Sequence, residues 1–191
     1  MNVQPLPVRD PWAGVLLPGE SVRWTGRPDA SHVFDRQDWL VVPFTLMWGG
    51  FAIFWEVGVV SSGGPIFFEV FGAAFMAVGL YVIAGRFLVK VSRNRRTVYA
   101  VTDQRVIRVV QRDRGDVVQS MFLGNLPTVV VVPGRAGLGD VRFGPLDSRS
   151  RFGNSGLDWL GDGSTPLAFY DLPDAQLVAA LVAGLVASRT A

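Results

Sequence analysis

The sequence contains no cysteine and only one histidine, His32. The absence of cysteine excludes disulfides, thiol nucleophiles and cysteine-ligated metals. A single histidine excludes a metal site built from several histidines, and a serine-type catalytic triad would depend on His32 alone. We therefore predict no catalytic residue, no metal site and no cofactor, and we expect that the protein is not an enzyme.

Charged side chains are also scarce, at 18% of residues, whereas hydrophobic residues make up 49%. Average soluble domains carry about 25% charged residues, so the composition favours contact with lipid. The 18 lysines and arginines exceed the 16 acids by too little to indicate a nucleic-acid partner, and we expect none. The N-terminus lacks a charged segment followed by an apolar core, so any membrane insertion would use internal segments.

Two long apolar runs dominate the chain, from Trp39 to Val60 and from Ile66 to Val91, and the short segment SSGGP separates them. A membrane-spanning helix needs about 20 mainly apolar residues. The runs therefore predict a transmembrane helical hairpin over residues 39–91, with Glu56 and Glu69 near the turn. The alternative is a buried hairpin of a soluble protein, but two helices that are apolar all round would need a larger core than this chain provides.

Small residues indicate how the two helices would pack. Gly72, Ala73, Ala77 and Gly79 are predicted to form a small-residue face on the second helix. Gly49 and Gly50 of the first helix are predicted to meet it.

Cations flank the hairpin, and none lies in its turn. The cations before the first helix are Arg9, Arg23, Arg27 and Arg36, and those that close the second helix are Arg86, Lys90, Arg93, Arg95 and Arg96. Because cation-rich segments stay in the cytoplasm, we predict a multi-pass protein of the cell membrane, with two crossing helices and both termini cytoplasmic. The second group is also a candidate contact for anionic lipid, which contributes about 1 kcal/mol per cation.

The remainder of the chain reads as short strands followed by a helix. After the basic run come segments of β-branched residues separated by turns at Thr102–Gln104 and Asp113–Asp116, and one isolated strand, ESVRWTG, precedes the hairpin. Residues 145–166, rich in glycine, serine and aspartate, are predicted to form a flexible loop insertion. The last apolar run, Leu177–Ala187, predicts a helix that packs on the core, with Asp171 as its cap.

Individual side chains in the strand series carry further predictions. Trp24 is predicted to belong to the core, and Asp103 to stabilise the turn at Thr102. Arg105 and Arg108 are interpreted as solvated or lipid-facing, and Glu20 as the partner of an arginine in an exposed pair.

Three segments together resemble the bacterial pleckstrin-homology-like membrane proteins: LPGESVRWTGRPD, YAVTDQRVI and FYDLPDAQLVAALV. The resemblance implies an α+β membrane protein whose PH-like antiparallel sheet or barrel has a C-terminal capping helix and is interrupted by a transmembrane hairpin. The corresponding boundaries are an N-terminal tail over 1–16, a discontinuous PH-like domain over 17–38 and 92–187, and the hairpin over 39–91. The long loop at 145–166 departs from the family pattern, and no reaction follows from the resemblance.

These observations favour a membrane-tethered interaction or scaffold module with a cytoplasmic PH-like domain. Its expected partners are the lipid bilayer and either another protein or further copies of the chain. The alternative is a small transport or channel component that uses Glu56 and Glu69.

Overall fold

A computed structural model describes residues 10–31, 38–63, 65–144, 154 and 167–190 of the chain. The regular elements follow in this order: β1 (Val22–Gly26), α1 (Asp38–Ser61), α2 (Ile66–Leu80), a π-helical turn (Tyr81–Gly85), α3 (Arg86–Arg96), β2 (Thr97–Thr102), β3 (Arg105–Val110), β4 (Val117–Phe122), a 3-10 turn (Leu123–Asn125), β5 (Val129–Pro133), β6 (Gly139–Phe143), β7 (Ala168–Leu172) and α4 (Ala175–Thr190).

The strands form two antiparallel sheets, one with the order β1-β2-β3-β4 and one with the order β5-β6-β7. The last helix, α4, packs against β5, β6 and the 3-10 turn. The prediction of an α+β chain with antiparallel sheets and a C-terminal helix is confirmed. The predicted cap is wrong, because α4 begins at Ala175 and the Asp171 carboxylate is used in contacts with α3.

The main core lies between the sheets and α4. Tyr99 of β2 and Phe169 of β7 stack with ring centroids 4.5 Å apart, and Val178 and Val182 of α4 are fully buried beside them. Trp24 stacks on Phe169 at 6.0 Å, which confirms its prediction as a core residue.

The opposite face of the first sheet is covered by the segment that precedes β1. Ile107 and Val109 of β3 are fully buried there, and Trp12, Val15 and Leu16 pack against them. Strands β2 and β3 are therefore buried on both faces, which explains why they read as almost continuous apolar runs.

The two long helices form a hairpin beside the sheets. One segment, Pro43–Ser61, is long and apolar enough to cross a membrane by length and composition, whereas α2 alone is shorter. The π-helical turn joins α2 to α3 without a break, and β2 begins directly after α3 at Thr97. The described part of the chain therefore contains one candidate membrane-spanning helix, and the second crossing stays a prediction.

Glycines bring the two helices of the hairpin close together, but only in part as predicted. A Cβ at Gly72 would collide with the Glu56 carboxylate, and one at Gly79 would lie 3.7 Å from the Trp48 ring. The Trp48 ring stacks on Phe75 at 4.4 Å. Ala73 and Ala77, which were expected on this face, are exposed instead.

Several sequence predictions concern segments outside the described residues. His32 lies outside them, and so does the proposed loop at 145–166 apart from Asn154. The domain boundaries stay predictions, although residues 12–16 of the expected N-terminal tail pack on the first sheet.

Candidate functional site

Glu20 and Arg105 form a bidentate ion pair at the start of β3. Nε and Nη2 of Arg105 each donate to one carboxylate oxygen of Glu20 at 2.9 Å. Nη2 also donates to the carbonyl of Val15 at 2.6 Å, and Nη1 to Oγ of Ser120 at 3.2 Å. The side chain of Glu20 is fully buried and that of Arg105 is 10% exposed, so the interpretations of Arg105 as solvated or lipid-facing and of the pair as exposed are wrong.

The neighbouring turn is bound to the same segment. The Thr102 hydroxyl donates to Glu20 at 2.7 Å and accepts the N–H groups of Gln104 and Arg105. The Asp103 carboxylate accepts the N–H and the hydroxyl of Ser21 at 3.0 and 2.8 Å. We call Glu20, Ser21, Thr102, Asp103 and Arg105 the motif network, since the segments that carry the family resemblance supply them.

Electrostatics in the motif network favour the ionised carboxylates. Burial opposes the charge of Glu20, but hydrogen bonds from Arg105, Leu17 and Thr102 outweigh it and lower the pKa of Glu20. Hydrogen bonds from Ser21 lower the pKa of Asp103 in the same way. The motif network therefore holds the segment before β1 against the β2–β3 turn by hydrogen bonds and one ion pair.

A second polar cluster joins the helical hairpin to the sheets. One carboxylate oxygen of Asp171, Oδ2, lies 3.0 Å from Nδ2 of Asn94, 2.8 Å from Nδ2 of Asn154 and 3.5 Å from Nζ of Lys90. Nδ2 of Asn154 also lies 3.1 Å from Oδ1 of Asn94. We call Lys90, Asn94, Asn154 and Asp171 the polar junction.

The backbone around Asp171 extends the polar junction to further elements. Its N–H donates to Asp140 of β6 at 3.1 Å, and its carbonyl accepts the N–H of Asp29 at 2.9 Å. Asp171 has a φ of +54°, a left-handed conformation that aspartate and asparagine tolerate better than most residues. Helix α3, the segment after β1, strand β6 and the end of β7 therefore meet at one residue.

Burial dominates the electrostatics of Asp171. Removal from water raises the pKa of its carboxyl group, and the nearby Lys90 charge and the Asn94 hydrogen bond only partly offset this. Lys90 itself is only 2% exposed. The ion pair thus lies in a poorly solvated environment, where the cost of removing both charges from water offsets much of their attraction.

The five cations proposed as lipid contacts occupy different environments. Arg86 and Lys90 are 3% and 2% exposed and face the protein, and Arg93 is half-buried. Arg95 and Arg96 are exposed, and Arg96 lies 3.5 Å from the exposed Asp113. Contact of these five cations with anionic lipid stays a prediction. Of the five, Arg95 and Arg96 are the ones that are exposed and could reach lipid.

Sequence reasoning missed the inward role of α3. Arg86, Lys90 and Asn94 are spaced four residues apart and therefore lie on one face of the helix. That spacing predicts a row of polar side chains along the helix, but it does not show whether the row faces lipid, water or the sheets. Asn154 gave no signal, because it lies in a segment rich in small polar residues.

Comparison of the chain with protein-family models, with curated proteins and with solved structures finds no match. Within the described ranges, no group of three acidic or histidine side chains is placed to hold a metal ion. The function must therefore be inferred from the contacts of this chain's own residues.

Replacing Asp171 by asparagine tests the polar junction, because asparagine accepts the left-handed backbone but carries no charge. We expect a loss of about 1 kcal/mol from the free energy of unfolding, because the substitution weakens the hydrogen bonds that the carboxylate accepts from Asn94 and Asn154, while the raised pKa of Asp171 means that its buried charge itself adds little stability. For a chain of this size that corresponds to roughly 2–4 °C in the melting midpoint of the purified full-length protein.

Two further variants serve as its controls. Asp113→Asn removes a carboxylate from the exposed pair with Arg96 and is expected to leave the midpoint almost unchanged. Lys90→Met combined with Asp171→Asn should cost less than the sum of the single changes, by about 1 kcal/mol or more. Additive losses would show that the two side chains do not interact.

Glu20→Gln is expected to destabilise the protein in a pH-dependent manner. Because folding lowers the pKa of Glu20 below its ordinary value of 4.5, its ionised form contributes stability that is fully present above that value and is lost as the pH falls through the folded pKa. Melting curves should show a deficit of about 2 kcal/mol at pH 7 that shrinks below pH ~4.5. A deficit of the same size at every pH would contradict this role.

Proposed function

We propose that the protein is a membrane-tethered interaction module, in which α1 and α2 cross the lipid bilayer and the β-rich part is held against its cytoplasmic surface. The observation that carries the proposal is the polarity of α3. In the first half of α3, Arg86 and Lys90 face the protein, while Leu88 and Val89 are 73% and 43% exposed. The exposed cations Arg95 and Arg96 lie at its other end. In a water-soluble protein an amphipathic helix has the opposite arrangement.

The apolar surface of the hairpin supports lipid as its surroundings. On α1 and α2, large side chains are exposed on all sides that do not face the partner helix, among them Met47 at 68%, Phe54 at 77%, Phe67 at 69% and Leu80 at 65%. Soluble monomers rarely expose apolar patches larger than a few hundred Å². A surface that continues along both helices is therefore suited to a bilayer.

The lengths of the helices are compatible with two crossings. Segment Pro43–Ser61 has 19 residues, and α2 continues through the π-helical turn, so residues 66–85 form one helical stretch whose only charged residue is Glu69. At 1.5 Å per residue, about 20 residues span the ~30 Å hydrocarbon layer. Cations at the base of the hairpin and their absence from the turn support cytoplasmic termini.

The arrangement of the β-rich part supports a PH-like domain. Sheets of four and three antiparallel strands are followed by a helix that packs on the second sheet, as the resemblance implies. We propose a binding role and not a catalytic one, because the side chains of the motif network and of the polar junction bind one another across elements. The partner is then another protein or a further copy of the chain.

A transport function that uses Glu56 and Glu69 receives less support. The Glu56 carboxylate fills the space left by the missing side chain of Gly72, and Trp48 and Phe75 stack further along the same interface. These contacts favour a closely packed helical pair over a path for ions.

Cysteine labelling tests the topology, and the chain contains no native cysteine that would interfere. A membrane-impermeant maleimide applied to intact cells should label Ser62→Cys in the turn but not Ser188→Cys, which is exposed on α4. Both should be labelled after permeabilisation, which controls for reactivity. Labelling of Ser188→Cys in intact cells, or release of the protein from membranes by alkaline carbonate, would contradict the proposal.

A further inference from the structure

Two buried side chains beside the polar junction converge from different sheets. Arg108 of β3 is 5% exposed and Tyr170 of β7 is 2% exposed. Cζ of Arg108 lies 5.6 Å from the centroid of the Tyr170 ring, and Cζ of Arg142 lies 6.0 Å from the same centroid. The guanidinium group of Arg108 therefore lies in the space where the two sheets approach α3.

One donor of Arg108 and the hydroxyl group of Tyr170 are buried without a hydrogen-bond partner among the described residues. Within the part of the chain that the structure describes, Nε of Arg108 and the hydroxyl of Tyr170 have no hydrogen-bond partner, and no acid forms an ion pair with Arg108. Arg105, three residues earlier on the same strand, makes four side-chain hydrogen bonds. More than about 90% of buried polar groups in native proteins have partners, so this pair requires an explanation.

The missing partner must accept hydrogen bonds and carry negative charge. A guanidinium group has only donors, and its planar fork matches the oxygens of a phosphate or carboxylate. Burial raises the pKa of Tyr170, so its hydroxyl stays protonated and able to donate. Burial and then the charge of Arg108 lower the pKa of Arg93, which places a further cation within electrostatic reach. A water molecule could accept these hydrogen bonds but would not offset the charge.

We propose that Arg108 and Tyr170 bind a phosphate-type oxyanion between β3, β7 and α3. Arg108 supplies the charge and at least one donor, and the Tyr170 hydroxyl supplies another. The oxyanion comes either from free phosphate or from the phosphate group of a lipid. This site does not require the hairpin to cross a membrane, so its test is independent of the test of the proposed function.

The test uses the full-length protein in a neutral detergent, with inorganic phosphate as the probe. Calorimetry and melting curves are recorded against potassium chloride at equal ionic strength. We expect phosphate to raise the melting midpoint of the wild type, Arg108→Met to weaken binding at least tenfold, and Tyr170→Phe to weaken it about fivefold. Arg114→Met removes the same charge from an exposed position between β3 and β4 and should bind phosphate as the wild type does.

Stability without phosphate separates binding from a structural role. Because each variant removes a buried donor that has no described acceptor, Arg108→Met and Tyr170→Phe should melt at or above the wild-type midpoint in chloride. Both variants melting well below the wild type in chloride, with unchanged phosphate affinity, would overturn the proposal. So would a wild type that does not bind phosphate, or phosphate binding that is also lost in Arg114→Met.

A water-soluble lipid distinguishes the two sources of the oxyanion. Dihexanoyl phosphatidate that binds more tightly than inorganic phosphate, and loses this affinity in Arg108→Met, would identify a lipid phosphate. Inorganic phosphate that binds more tightly than the phosphatidate would identify free phosphate. Dihexanoyl phosphatidylcholine serves as the control for the acyl chains, and equal binding of both lipids by the wild type and Arg108→Met would count against the site.

Discussion

The buried contact between Lys90 and Asp171 determines how the helical hairpin is attached to the sheets. Lys90 is 2% exposed and its Nζ lies 3.5 Å from Oδ2 of Asp171. Two charges that are removed from water must stay close together, because a buried charge without a partner costs several kcal/mol of stability. Asn94 and Asn154 bind the same carboxylate oxygen, so α3 is held at a fixed position against β6 and β7. Because α3 continues directly from α2 and leads directly into β2, the hairpin is coupled to the sheets both through the chain and through this cluster.

The polarity of α3 follows from that attachment. Its inward face contains Arg86, Lys90 and Asn94, and this leaves Leu88 and Val89 on the outer face, where they are 73% and 43% exposed. In water this arrangement would be unfavourable on both faces, since the protein would bury charge and expose apolar surface. If the outer face meets lipid, as we propose, the same arrangement is favourable on that face and keeps the charges inside the protein. The proposed membrane environment would then account for both the polar junction and the exposed hairpin.

Much of the fold could be predicted from local patterns. The β-branched runs gave the strands, SSGGP gave the hairpin turn, and Trp24 was correctly assigned to the core. The contacts of Arg105 and Asp171 could not be predicted, because their partners lie 85 residues away at Glu20 and 77 residues away at Asn94. A basic run near an apolar helix has the same sequence whether it meets headgroups or a buried carboxylate. Only the tertiary structure distinguishes these environments, and it assigns Lys90 to the second.

The accessibility of single spin labels tests most directly whether the outer face of the hairpin meets lipid. Labels would be attached at Leu80→Cys and Leu88→Cys, and at Val118→Cys of β4 as a comparison, in protein reconstituted into liposomes. If the outer face lies in lipid, dissolved oxygen relaxes the labels at 80 and 88 more strongly than a water-soluble nickel chelate does, and the order is reversed at 118. Equal accessibility of all three labels to the nickel chelate would contradict a lipid environment for the hairpin.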